Sequence, residues 1–222
     1  MEHKRLTLFA GHYGSGKTNI AVNYAMYLAR EGKRVCIADL DIVNPYFRTK
    51  DSEKELNALG IRLVSPQYAN SNVDLPALPA ESYRLVQDKS TFGIMDIGGD
   101  DRGAYALGRF KDAIKAENDY RMAFVVNCHR PLTSSVEDTV EIMREIEAAS
   151  GLEFTCIVNN SNLGPETTTE TVLDSLDFIN ELCEKTGLDL WIHTAESSVA
   201  KGLVDLPVLP MTLQRKIFDL PD

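Results

Sequence analysis

The stretch Gly11-His12-Tyr13-Gly14-Ser15-Gly16-Lys17-Thr18 narrows the choice of fold more than any other part of the 222-residue chain. It follows an apolar run, Leu6–Ala10, and leads into Asn19–Arg30, where Ile20, Tyr24, Tyr27 and Leu28 recur at helical spacing. The pattern G-x-x-x-x-G-K-[ST] between a strand and a helix is that of a phosphate-binding loop. Gly11, Gly14 and Gly16 admit backbone angles that bulkier residues resist, so successive N–H groups converge on phosphate oxygens. The positive end of the following helix faces the same anion. The expected wrap runs from Gly11 through His12, Tyr13 and Ser15 to Asn19. Within it Lys17 reaches the β- and γ-phosphates and the Thr18 hydroxyl ligates Mg²⁺.

Such a loop needs a parallel sheet behind it, and the rest of the chain supplies one. Val35–Ala38, Ile61–Val64, Phe92–Ile97, Met122–Val126, Phe154–Val158 and Leu190–His193 read as further strands. Most are nearly continuous apolar runs, which suits strands covered on both faces. Helical stripes lie between them, at Val136, Val140, Met143 and Ile146 and at Val172, Leu176, Ile179 and Cys183. The expected architecture is α/β, a doubly wound, mostly parallel sheet flanked by helices. With no internal repeat or splitting linker, it is read as one domain over residues 1–222. Ser65–Ala80, with Pro66, Pro76 and Pro79, reads as a long loop.

Composition restricts the partners. Lys and Arg number 23 against 33 Asp and Glu, a net charge of −10, which argues against a broad nucleic-acid footprint and leaves room for a local anion pocket. No apolar run approaches the roughly 20 residues of a membrane span, and the amino-terminal run is too short for a secretion signal. Cys36, Cys128, Cys156 and Cys183 lie far apart without metal-ligand spacing, as expected of buried free thiols in the cytoplasm.

A triphosphate site needs carboxylates near its magnesium and a group that orients water. The second strand runs out in Ala38-Asp39-Leu40-Asp41, and strand ends on the carboxyl side of a parallel sheet border the same crevice as the first loop. Asp39 and Asp41 share a side if the strand stays extended, one standing behind a magnesium-bound water and the other approaching the γ-phosphate. A pair of solvated turn aspartates would read the same way. In Phe92-Gly93-Ile94-Met95-Asp96-Ile97-Gly98-Gly99, Asp96 is a second acceptor for magnesium-bound water, and Gly98 or Gly99 lets the backbone shift with the γ-phosphate.

With these segments in place the sequence resembles the MinD/ParA family of P-loop ATPases, a group that also includes cobyrinic-acid-synthase-like and dethiobiotin-synthetase-like domains. Gly11–Thr18 with Asn19-Ile20-Ala21-Val22-Asn23-Tyr24-Ala25 is similar to the family's loop and its continuation. Asp39-Leu40-Asp41 matches its D-x-D segment and Asp96-Ile97-Gly98-Gly99 its second switch. Cys156-Ile157-Val158-Asn159-Asn160 resembles the strand whose terminal Asn meets adenine. The resemblance implies ATP and Mg²⁺ as ligands and Lys17 and Asp41 as the catalytic pair. It puts Thr18, Asp39 and Asp96 at the metal and Asn159 at the base, where an amide offers both donor and acceptor. It further implies a slow Mg-dependent ATPase that switches its contacts with a protein partner or a second copy of itself; the acidic balance and the weakly cationic end Leu213–Leu220 argue against direct nucleic-acid and membrane contact.

The chain departs from the family where a signature lysine is usual, since His12 stands there, followed by Tyr13 where the family has Gly. Imidazole is only partly charged at neutral pH and reaches less far. The departure, with His129 and Arg130 near the same crevice, motivates an alternative: an ATP-dependent ligase or kinase acting on a small carboxylic acid. Tyr46, Phe47 and Arg48 after the D-x-D segment suit an effector surface or local packing, and Leu213–Leu220 suits a docked amphipathic end.

Overall fold

Strands with apolar residues at successive positions can be buried on both faces only if helices cover both, and the fold follows from that requirement. The structure is a computed structural model, described here over residues 2–40, 49–65, 80–99 and 101–213. Strands β1 (Leu6–Ala10), β2 (Val35–Leu40), β3 (Arg62–Val64), β4 (Phe92–Ile97), β5 (Tyr120–Val126), β6 (Cys156–Asn159), β7 (Leu190–Glu196) and β8 (Val208–Met211) form one sheet. Its order is β3-β2-β4-β1-β5-β6-β7-β8, and every neighbouring pair is parallel. The chain therefore starts at the middle, builds outward to β3, returns through β4 and builds the other way from β5. β1 sits at the reversal, where open α/β sheets form their ligand crevice.

The helices among the described residues are α1 (Lys17–Arg30), α2 (Glu53–Ala58), α3 (Ala80–Gln87), α4 (Asp101–Gly108), α5 (Lys111–Glu117), α6 (Val136–Ser150), α7 (Thr169–Leu173), α8 (Leu176–Thr186) and α9 (Ser197–Ala200). On one face of the sheet Phe9, Ile37, Ile94, Val125 and Val158 pack with Ile20, Tyr24 and Leu28 of α1 and Leu56 of α2. On the other, Leu8, Ala38, Met95, Phe124 and Ile157 pack with α3 to α6 and α8 through Leu85, Leu107, Ile114, Val140 and Ile179. Alternation along β1, β2, β4, β5 and β6 thus assigns each side chain a face, while β7 breaks the pattern where its register against β6 shifts by one residue between Leu190 and Ile192.

The doubly wound sheet stands as expected, all parallel over the described residues. Sequence reading missed β8, because Pro210 interrupts an apolar run; at a sheet edge its missing N–H costs no ladder bond. The stripe from Val172 to Cys183 is two helices, α7 and α8, broken where the Ser175 hydroxyl donates to the Val172 carbonyl (2.6 Å). All four cysteines are free thiols, and burial pushes that of Cys156 up to about 11. No described helix is long and apolar enough to cross a membrane. Asp41 to Arg48, most of the Ser65–Ala80 loop and the end from Gln214 onward lie outside the described residues.

Candidate nucleotide site

The loop after β1 folds back on itself before α1 begins. Gly16, at φ 91°, is the N-cap of α1, and Gly14 has φ 76°, angles at which a Cβ is strained. The Lys17 ammonium donates to the His12 carbonyl (3.1 Å), which also accepts from the Ser15 N–H (3.2 Å). The first turn of α1 carries no acidic residue, so its positive end is left for an external anion. Lys17 and Thr18 are buried. The Ser15 hydroxyl and His12 Nδ1 are buried with no hydrogen-bond partner among the described residues. A buried ammonium, a helix end and orphaned polar atoms fit a polyphosphate.

Register brings the acidic residues together. Asp39 of β2 pairs with Asp96 of β4, which on its other side pairs with Phe9 of β1. Asp39 follows Ile37 and Asp96 follows Ile94 on the face that carries α1, so both carboxylates lie on the side of Thr18. They are 3% and 0% exposed. Buried carboxylates one strand spacing apart, about 4.8 Å, repel when both are ionised, and a divalent cation with oxygen ligands relieves that repulsion. The donor set of Thr18, Asp39 and Asp96 therefore suits Mg²⁺. Thr49, which the sequence did not single out, is fully buried and donates from Oγ1 to Asp96 Oδ2 (3.2 Å). A Cβ on Gly99 would stand 2.7 Å from the Tyr13 nitrogen and 2.9 Å from Lys17 Nζ, so the turn after β4 lies directly on the phosphate loop. Asp41, expected to be the hydrolytic aspartate, lies outside the described residues.

Asn159, which the resemblance puts at the base, is engaged by hydrogen bonds within the fold. It is fully buried, with its Nδ2 donating to Ser175 Oγ (2.8 Å) and bonded to His193 Nδ1 (3.0 Å), while its Oδ1 accepts from the Ser161 N–H (3.0 Å). Burial holds the His193 imidazole below its ordinary pKa, favouring the neutral ring that can accept this bond. Alternation explains the outcome: Val158 faces α1, so Asn159 points to the opposite face, with Ile157.

The next residue does the work at the loop. Asn160 Nδ2 donates to the Ser15 carbonyl (2.6 Å) and its Oδ1 accepts from Thr194 Oγ1 (2.6 Å), tying the phosphate loop to β7. A Cβ on Gly16 would collide with this amide, so the glycine is required by packing as well as by φ. Asn160→Ala leaves the buried Ser15 carbonyl and Thr194 hydroxyl without these partners, at about 1–3 kcal/mol each. The expected result is a lower melting temperature and a roughly tenfold weaker nucleotide affinity from a loosened loop, read by calorimetry and thermal melting.

Fold and site together place the chain among the P-loop nucleotide-binding proteins. Residues 6–188 match the CobQ/CobB/MinD/ParA nucleotide binding domain, and the chain belongs to that family. No curated protein matches it in sequence. Among solved structures it is similar to cell division protein FtsY from Thermotoga maritima, with a TM-score of 0.56 and 16% identity over 87% of this chain and 62% of that one. It is similar also to the 54 kDa signal recognition particle protein from Aeropyrum pernix in complex with GDP, with a TM-score of 0.53 and 18% identity over 85% of this chain and 40% of that one. An FtsY from Mycoplasma mycoides gives 0.54 and 16%, over 87% and 61%. The chain thus spans less than two thirds of the length of these neighbours, and the likeness bears on the fold.

Proposed function

We propose that the protein binds ATP with Mg²⁺ at this loop and hydrolyses it slowly, working as a nucleotide-dependent conformational switch. The observation that carries the reading is the contact of the Gly99 turn with Tyr13 and the Lys17 ammonium. A phosphate group arriving at Lys17 must displace or recruit that turn. The same strand end is bonded to Thr49, so Thr49 and the turn after β4 both answer to the loop through Asp96. Lys17 holds the terminal phosphates, the amides from Gly11 to Asn19 wrap them, and Thr18 with Asp39 and Asp96 holds Mg²⁺. The metal, when bound, neutralises charge on the phosphate oxygens. Asp41 orients the attacking water. Adenine as the base is carried by the family resemblance; Asn159 is not assigned to it. The switch addresses a protein partner or a second copy of the chain, in the cytoplasm, from a single domain over residues 1–222.

The test is a titration with ATP and with GTP, with and without magnesium, followed by phosphate release. Binding of neither nucleotide would end this reading. Asp41→Ala should bind ATP within about threefold of the parent and lose on the order of 100-fold in turnover, the lower range for a group that orients a reacting proton. Undiminished turnover would remove Asp41 from its role.

A further inference from the structure

The loop after β5 lays an exposed guanidinium against the outer wall of the phosphate loop. A Cβ built on Gly14 would lie 3.6 Å from Arg130 Nε and 3.7 Å from its Cζ, ordinary van der Waals contact. Among the described residues this side chain has neither a carboxylate nor a hydrogen-bond acceptor, although the chain carries 33 acidic residues. Its backbone, by contrast, is fixed. The Arg130 N–H donates to the Asn127 carbonyl (3.1 Å) and the Arg130 carbonyl accepts from the Thr133 N–H (3.0 Å). Thr133 Oγ1 donates to the same Asn127 carbonyl (2.6 Å), and Asn127 Oδ1 accepts from the N–H groups of His129 (3.0 Å) and Asn162 (3.2 Å). Pro131 holds Arg130 extended at φ −91°, ψ 140°. An unpaired guanidinium on a rigid base beside an anion cradle is preorganised for charge that appears only when the cradle is filled.

We propose that Arg130 is a catalytic guanidinium acting in cis, swinging from Gly14 onto the terminal phosphates as the γ-phosphoryl group transfers. The assignment rests on the nucleotide reading given above. In hydrolysis a water oxygen bonds to the γ-phosphorus and the bond to the β–γ bridging oxygen breaks, the electron pair staying on the β-phosphate. Both of the water's protons leave on the inorganic phosphate, as H₂PO₄⁻. Arg130 neither gives nor takes a proton; its planar fork meets the negative charge gathering on the bridging and γ oxygens.

The experiment compares the parent protein with Arg130→Ala and Arg130→Lys, following phosphate release and the binding of ADP alone and of ADP with aluminium fluoride, a mimic of the transferring phosphoryl group. Arg130 is exposed, and equal melting temperatures verify that the variants fold. For Arg130→Ala we expect ADP affinity within about threefold, aluminium fluoride complex affinity down by at least about 30-fold and turnover down by at least about 100-fold, a modest share of what such arginines supply. Arg130→Lys recovers less than about a tenth of the lost turnover, because a point charge cannot replace the fork. Turnover within about threefold of the parent, or equal weakening of ADP and its fluoride complex, would overturn the assignment while leaving the nucleotide site standing. A parent protein that binds no nucleotide would overturn both.

Discussion

Lys17→Ala should abolish measurable binding of Mg·ATP while leaving the fold in place. The ammonium is buried inside the loop and donates to the His12 carbonyl (3.1 Å), so its four-carbon stem is already bent toward the place the phosphates take. Two charge-assisted hydrogen bonds to phosphate oxygens, at about 1.5–3 kcal/mol each, amount to roughly 3–6 kcal/mol of binding. Their loss weakens the dissociation constant by about 10² to 10⁴, which carries an ordinary micromolar affinity out of calorimetric range. The backbone bonds that close the loop and start α1, from the Ser15 N–H to the His12 carbonyl and from the Ile20 N–H to the Gly16 carbonyl, do not involve this side chain, so the melting temperature should move by only a few degrees. Equal affinity in the variant and the parent would show that nucleotide, if bound, is bound elsewhere.

The legible part of this protein was whatever sequence neighbours determine. The phosphate loop is a run of adjacent residues, so its chemistry could be read directly, and β1, β4 and β5 could be read from continuous apolar runs. Asp39 and Asp96 were picked from strand ends, and their pairing followed once β2 lay beside β4. The illegible part consists of contacts made across the fold. Asn160 meets Ser15 over 145 residues, Thr49 meets Asp96 over 47, and Arg130 reaches Gly14 from a different strand end. One local signal for Asn160 was available: Val158 belongs to the α1 face, and counting two onward reaches Asn160, not Asn159. The family resemblance pointed to the other asparagine. Pro210 hid β8, since its meaning depends on edge position, which only topology supplies.

At the other end of the strands Arg5 makes the second large effect, on stability. Arg5 precedes β1 and is 7% exposed. Its NH1 donates to the carbonyls of Leu85, Asp88 and Thr91 (3.1, 3.1 and 3.2 Å), its NH2 to that of Val86 (3.0 Å), and its Nε to Glu117, which also pairs with Lys89. Leu85 and Val86 belong to the last turn of α3, whose carbonyls have no partner within the helix, so this guanidinium caps α3 and binds it to α5 and to the entry of β4. Burial draws the guanidinium below its ordinary pKa, yet an arginine stays charged and keeps donating. Arg5→Met fills similar space but leaves Glu117 and four carbonyls without this donor, a break in a buried pair that costs about 3–5 kcal/mol. For a chain of this size that lowers the melting temperature by about 6–20 °C. Arg5→Lys should recover only a minority of the loss, because one ammonium cannot meet five acceptors arranged around a plane. Nucleotide affinity at 20 °C should stay within about twofold of the parent, because Arg5 lies at the amino ends of the strands and the crevice at their carboxyl ends. Thermal melting and calorimetry on the same preparations separate the two effects, and a melting temperature unchanged in Arg5→Met would show that water replaces the guanidinium and that α3 needs no cap.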